Sequence, residues 1–161
     1  MSIEKVREYL RGFSLEDRIS EFEVSSATVE LAAAALGTEG ARIAKTISLH
    51  GKDGGCMLIV TAGDHKIDNQ KFKARFGFKP RMLSPDEALA FTGHAVGGVC
   101  PFALPDRIPV YLDESLRRFD LIYPAAGSSS SAVRLSCEEL FTASRAEGWE
   151  DLCKIREPQN T

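Results

Sequence analysis

The sequence predicts an α+β domain, a mixed sheet with helices packed against it, and three observations lead there. Two apolar runs, Ile43 to Leu49 and Cys56 to Thr61, flank the turn cluster Gly51-Lys52-Asp53-Gly54-Gly55 and read as a hairpin. Two helix starts carry a serine followed three residues later by glutamate, at Ser84 and Ser136. Short apolar strands, Ile108 to Leu112, Leu121 to Tyr123 and Ala132 to Leu135, lie between those helices. At 161 residues, 43% hydrophobic and 27% charged, the chain suits one domain, 1–161, with a core of its own.

In chain order, Ile3, Val6 and Leu10 share one helical face, and Gly12 stands near the end of that first helix. A second helix starts after Ser25-Ser26, has Glu30 in its first turn, is rich in alanine from Leu31 to Leu36 and stops at Gly37. The hairpin follows. Pro85 at the first helical position strengthens the start at Ser84, and Gly93 ends that helix. The last helix begins at Ser136-Cys137-Glu138-Glu139 and is expected to close at Gly148.

Composition also excludes several classes. The longest apolar runs are too short to span a bilayer, and Met1 to Val6 lacks the apolar core of a signal peptide, so a cytoplasmic protein with no membrane partner is expected. Cys56, Cys100, Cys137 and Cys153 are scattered with no CxxC pair and read as reduced thiols. His50 and His65 lack ligand spacings, so no metal is expected. The net charge of −3 argues against wholesale coating of a nucleic-acid backbone. Yet Lys66 to Arg81 holds six basic residues against one acid, a local balance of +5. Such a patch suits a partner presenting a few phosphates at one place, or is simply a solvated helix face.

Lys45 is the most informative position. Strand alternation puts it on one side with Ile43, Ile47 and Leu49, so an ammonium is aimed at an apolar face. That lysine needs an acid partner, a route to water or an anionic ligand. A strand end that snorkels, a bulge or an internal salt bridge would each account for it without function. The stretch from Gly93 to Phe102 is dense in glycine and closed by Pro101, so a ligand could approach its backbone, or it could be a structural loop. It is neither a Walker loop nor a dinucleotide fingerprint. Ala125-Ala126-Gly127-Ser128 could line a cavity or permit a turn. Cys100 and His94, six residues apart, also admit a cysteine-hydrolase reading, against which stands the usual role of such a cysteine as apolar filler.

In this order the pieces Thr28-Val29-Glu30, Ala44-Lys45-Thr46, Ala62-Gly63-Asp64, the GxxxP element Gly97-Gly98-Val99-Cys100-Pro101 and the late loop at Gly127 resemble the YbaK/EbsC family of aminoacyl-tRNA deacylases. Its domain also occurs as the editing insertion of bacterial prolyl-tRNA synthetases. The likeness runs from about Ser25 to Phe141. It implies a YbaK-like editing fold with a partly barrel-like sheet, and hydrolysis of the ester between a wrongly attached amino acid and tRNA without cofactor or metal. It further implies that Lys45, Gly97, Gly98 and Pro101 form the catalytic part, with Lys45 anchoring the phosphate-ribose end. Substrate contacts are expected at Thr28, Thr46, Val99, Cys100, Ala126, Gly127 and Ser128, and at His94, which matches no family role and could gate the aminoacyl pocket or cap the preceding helix end; the charge of the basic segment itself offers tRNA contacts at Lys66, Lys71, Lys73 and Arg75. In the family the late loop often carries a basic residue near its glycine. Here four serines follow Gly127, which leaves a second phosphate contact unassigned.

The function expected is a freestanding editing hydrolase that binds the tRNA acceptor end, with tRNA-Pro as carrier and a prolyl-tRNA synthetase as partner. A pocket resolves one methylene by only ~1–3 kcal/mol, so a second hydrolytic site does what initial binding cannot. The alternative is a non-catalytic module that binds a nucleic acid or nucleotide.

Overall fold

The computed structural model describes residues 2–23, 28–105 and 107–156. Ser25 and Ser26 lie outside the described residues. In chain order the elements are α1 (Ser2–Arg11), β1 (Ile19–Glu21), α2 (Val29–Leu36), β2 (Ile43–His50), β3 (Cys56–Ala62), β4 (His65–Ile67), α3 (Asn69–Phe76), α4 (Pro85–Thr92), β5 (Val110–Asp113), β6 (Tyr123–Pro124), β7 (Ser131–Val133), α5 (Cys137–Ser144), β8 (Gly148–Glu150) and β9 (Cys153–Ile155). Among the described residues no helix is long and apolar enough to cross a membrane.

The central sheet has the order β6-β2-β3-β5-β8. Its hairpin, β2 with β3, is antiparallel from Ala44↔Ala62 to His50↔Cys56, while β6, β5 and β8 each run parallel to a neighbour. Two short antiparallel ladders, β1–β7 and β4–β9, flank it. The expected α+β class with a mixed sheet is what forms.

Every residue of β3 is buried, because both faces of the sheet are covered. Leu58 and Val60 enter one core with Ala44, Val6 and Leu10 of α1 and Leu140 of α5. Met57 and Ile59 enter a second with Leu49, Phe72 of α3 and Leu152. Each such aliphatic side chain contributes about 1.5–3 kcal/mol through removal from water. A third, small cluster joins Ile43 to Ala32 and Ala33 of α2.

Local chemistry explains the helix ends. Thr28 caps α2 by accepting from the Leu31 N–H at 3.2 Å, and complete capping boxes form at Ser84/Glu87 and Ser136/Glu139. Asp68 caps α3 by accepting from the Gln70 and Lys71 N–H groups. The end of α5 departs from the sequence expectation: it stops at Ser144, with Arg145 in the left-handed region at φ 54°, and Gly148 opens β8 instead. Parallel pairing of Gly148 with Tyr111 claims that residue for the sheet. Strand limits shift for the same reason: β6 covers Tyr123–Pro124 rather than 121–123, while Ile122 makes a separate bridge to Leu135. The basic segment turns out to be β4 followed by α3, whose Phe72 is buried.

Candidate active site

The site begins with an incomplete strand edge. β3 flanks β2 along one side, but the other side is covered only at its ends. Ile43 and Ala44 pair with β6 there, the Leu83 N–H donates to the Ser48 carbonyl at 3.1 Å, and the His50 N–H donates to the Arg81 carbonyl at 2.8 Å. Ladder alternation sends the backbone groups of Ala44, Thr46, Ser48 and His50 to that side, so those of Thr46 face the gap. A cavity of about 390 Å³ fills it, lined among others by Thr28, Ala32, Lys45, Thr46, Leu83, Gly97, Val99, Tyr123 and Ala132. Thr46 Oγ1 is buried and has no hydrogen-bond partner among the described residues. An unmet buried hydroxyl costs about 1–3 kcal/mol, so Thr46 sits where a ligand's polar atom can satisfy it.

Lys45 lies opposite Thr61, on the face that Ile47 and Leu49 share with Ile59 and Met57. The side chain is half-buried and makes no hydrogen bond or ion pair among the described residues. The reason is competition. The carboxylates whose charge reaches it are Glu30 and Asp64. Arg156 binds Glu30 at 3.0 Å, and Arg118 grips both oxygens of Asp64 at 2.7 and 3.1 Å. Burial, and then the Arg156 charge, therefore hold the Lys45 amine below its ordinary value against the pull of Cys153 and the two acids. Burial alone would raise the Asp64 carboxyl, but the Arg118 and His65 hydrogen bonds bring it below its usual range.

Two loops form the opposite wall. α4 ends at Gly93 (φ 79°), and Gly97 (φ 91°) brings Gly97 and Val99 to the cavity. Behind them Gly98 packs on the late loop so closely that an added Cβ would stand 2.6 Å from the Ser128 nitrogen and 2.7 Å from the Gly127 carbonyl carbon. Gly127 (φ 97°) lies in turn against Ser2 and Val6 of α1. His94 is buried beneath this junction: its Nε2 lies 2.8 Å from the Phe102 carbonyl, to which it donates, leaving Nδ1 to accept from the Ser2 hydroxyl. Burial, and secondarily the Lys5 charge, lower its pKa.

The sequence-derived residues thus fall into four places. Thr28, Lys45, Thr46, Gly97 and Val99 meet around the cavity. Gly98, Ala126, Gly127, Ser128, His94 and Cys100 do not line it; Gly98 and Gly127 join the two loops, and the buried His94 and Cys100 lie beneath them. Pro101 faces a different depression, beside Tyr9 and Arg107. Lys66 stands on β4, and Lys71, Lys73 and Arg75 on α3, where Lys71 pairs with Asp151 and Arg75 with Glu150. Lining residues that motif reading missed are Leu83, Tyr123 and Ala132, which come from three distant segments and carry no local signal.

Cys100 Sγ lies 3.5 Å from His94 Nε2, the spacing a cysteine-histidine pair would need. The thiol, however, is fully buried and pushed up to about 12 by that burial, and Nε2 is engaged by Phe102, so it cannot supply a nucleophilic thiolate. Among the described residues no three His, Cys, Asp or Glu side chains gather into a metal-ligating group.

The aminoacyl-tRNA editing domain family matches residues 23–143. The uncharacterized protein YwhH of Bacillus subtilis (strain 168) is 50% identical over 154 residues, covering 96% of this chain and 98% of its own. EbsC of Enterococcus faecalis (strain ATCC 700802 / V583), provisionally named as a Cys-tRNA(Pro)/Cys-tRNA(Cys) deacylase, is 29% identical over 121 residues and 74% of each chain. A solved structure provisionally described as a trans-editing enzyme for prolyl tRNA synthetase superposes with a TM-score of 0.86 at 28% identity, covering 95% of this chain and 97% of its own. The hypothetical protein APE2540 gives a TM-score of 0.83 at 30% identity over 93% of this chain and 99% of its own. With the ordered motifs, the lysine-lined cavity and these likenesses together, the chain belongs to the aminoacyl-tRNA editing domain family, of the YbaK/EbsC type.

Proposed function

We propose that this protein is a freestanding deacylase that hydrolyses the ester joining a wrongly attached amino acid to the terminal ribose of tRNA, with tRNA-Pro as its carrier. One observation carries the proposal: a half-buried ammonium at a cavity, left among the described residues without an acid of its own because two arginines occupy the carboxylates whose charge reaches it. A phosphate of the RNA end supplies the missing charge. The aminoacyl group then lies along the open edge at Thr46 and against Gly97 and Val99.

In the reaction a water oxygen adds to the ester carbonyl, the tetrahedral oxyanion collapses, and the ribose oxygen leaves with a proton, giving free amino acid and uncharged tRNA. Lys45 is an anchor in this scheme. Positioning of the ester contributes part of the rate. Donors aimed at the oxyanion contribute ~3 kcal/mol each, a part open to the Thr46 hydroxyl and the backbone of the Gly97–Gly98 loop. Gly98 and Pro101 act by shaping that loop, with His94, Cys100, Ala126, Gly127 and Ser128 supporting it from behind. The names given to EbsC and to the structural neighbour support prolyl tRNA as carrier and a prolyl-tRNA synthetase as the enzyme whose errors are corrected, a cytoplasmic task.

The test is a panel of tRNA-Pro charged with alanine, serine, threonine or cysteine, incubated with wild-type and Lys45→Ala protein. Release of at least one amino acid by wild type and a loss of ~100-fold or more in the variant is expected. Absence of turnover on every member, with tight binding of uncharged tRNA, would make the protein a binding module instead.

A further inference from the structure

Resting on the deacylase proposal, a second question is how the rest of the RNA is held, since the serine-rich loop after Gly127 offers no cation there. The C-terminal strand β9 supplies candidates that neither motif nor family likeness singled out. Lys154 stands directly opposite Lys66 in the antiparallel β4–β9 ladder. Both are exposed, and neither forms an ion pair among the described residues. Like charges placed directly across a ladder repel, so the pair costs stability unless an anion lies over it. The acid nearest in effect, Asp68, feels the Lys154 charge but is already occupied in capping α3.

The ladder's other face explains the arrangement: Ile67 and Cys153 turn inward to the second core, which leaves Lys66 and Lys154 on the solvent side. Two residues further, Arg156 follows on that side by alternation, and its N–H donates to the Asp64 carbonyl at 2.7 Å. Its guanidinium reaches Glu30, whose side chain is 71% exposed, and its charge is felt at Lys45. Lys71 and Arg75 on the neighbouring α3 have acids of their own. Among the described residues Lys66 and Lys154 thus carry charge without an ion pair, while Arg156, held only by the exposed Glu30, stands close enough for its charge to be felt at Lys45.

We propose that Lys66, Lys154 and Arg156 form a phosphate-contacting strip that takes the RNA backbone leading to the cavity, with Arg156 exchanging the exposed Glu30 carboxylate for a phosphate. Arg156 thereby serves as the second cation beside Lys45. An exposed ion pair is weakly held, so that exchange is cheap.

The experiment measures the affinity of uncharged tRNA-Pro across a series of salt concentrations for wild type, the Lys66→Ala/Lys154→Ala double variant, Arg156→Gln, Glu30→Gln and a remote control, Lys52→Ala. The double variant should bind more weakly and lower the slope of log affinity against log salt by about 2, and Arg156→Gln by about 1. Glu30→Gln, which frees Arg156, should bind more tightly, a gain that misfolding cannot mimic. Steady-state deacylation should show higher KM with little change in kcat for the weakened variants. Wild-type affinity and slope in the double variant and Arg156→Gln, or an equal loss in Lys52→Ala, overturns the strip while leaving deacylation by the wild type intact. Salt-dependent losses as described, in a protein that releases no amino acid, would retain the strip and discard the deacylase.

Discussion

At the residue scale the proposed anchor is one amine, whose protonation sets its pH dependence. Burial disfavours the charged form of Lys45, so the folded chain releases this proton at lower pH than the unfolded chain, whose value is near 10.5. Below the folded value the buried charge costs stability, and that cost is relieved as pH rises from the folded value toward 10.5. Phosphate binding has the opposite sign: it is fully available while Lys45 is charged and is lost as pH rises through the depressed value. Affinity for uncharged tRNA is therefore expected to fall below pH 10.5 in the wild type. Lys45→Arg keeps its charge over that range, and its weaker or altered binding should lack this fall. Parallel pH curves for the two proteins would contradict the anchor role.

At the element scale the site depends on two loops and one strand edge. Gly98 has no room for a side chain, because an added Cβ would meet backbone atoms of Gly127 and Ser128 at 2.6–2.7 Å. Backbone cannot swing aside like the end of a flexible side chain, so Gly98→Ala must push the Gly97 loop away from the late loop. The expected cost is about 1–3 kcal/mol, with a fall in Tm of about 2–4 °C per kcal/mol. Deacylation should fall more than stability alone explains, since Gly97 and Val99 move with the loop. Thermal melting and kcat/KM at a temperature well below Tm check both parts; unchanged values in both would show that the loops do not brace each other. The edge of β2 is the complementary device. Covered at Ala44 and again at Ser48, it leaves Thr46 facing the cavity, so a strand interior is open to it.

At the scale of the whole molecule the C-terminal segment closes the fold as well as bearing cations. β8 pairs parallel to β5, β9 pairs with β4, and between them Leu152 is fully buried with Phe72, Ile59 and Leu49. The Leu152 N–H donates to Asp113 at 2.8 Å, and the Asp68 N–H donates to the Leu152 carbonyl at 2.9 Å. Leu152→Ala should therefore lower stability by about 2–5 kcal/mol, measured by urea unfolding. Because this core lies under β4 and β9, the same variant should loosen RNA binding near its Tm before it affects the loops around Gly97. A loss below ~1 kcal/mol would mean that β8 and β9 are ornaments on an already complete core.

What the sequence determined by itself was whatever depends on neighbours within a few residues. Period-two alternation put Lys45 with Ile47 and Leu49, serine and glutamate three apart marked the starts of α4 and α5, and the ordered motifs identified the family. Tertiary structure alone decided the rest. It ended α5 at Ser144 by drawing Gly148 into a parallel pair with Tyr111, and it brought Leu83, Tyr123 and Ala132 around one cavity. It also decided that Lys45 has no acid of its own among the described residues, since Arg118 and Arg156 are brought to Asp64 and Glu30 from far along the chain. Local periodicity reports which way a side chain points, whereas the charge it meets there is set by contacts that only the folded chain makes.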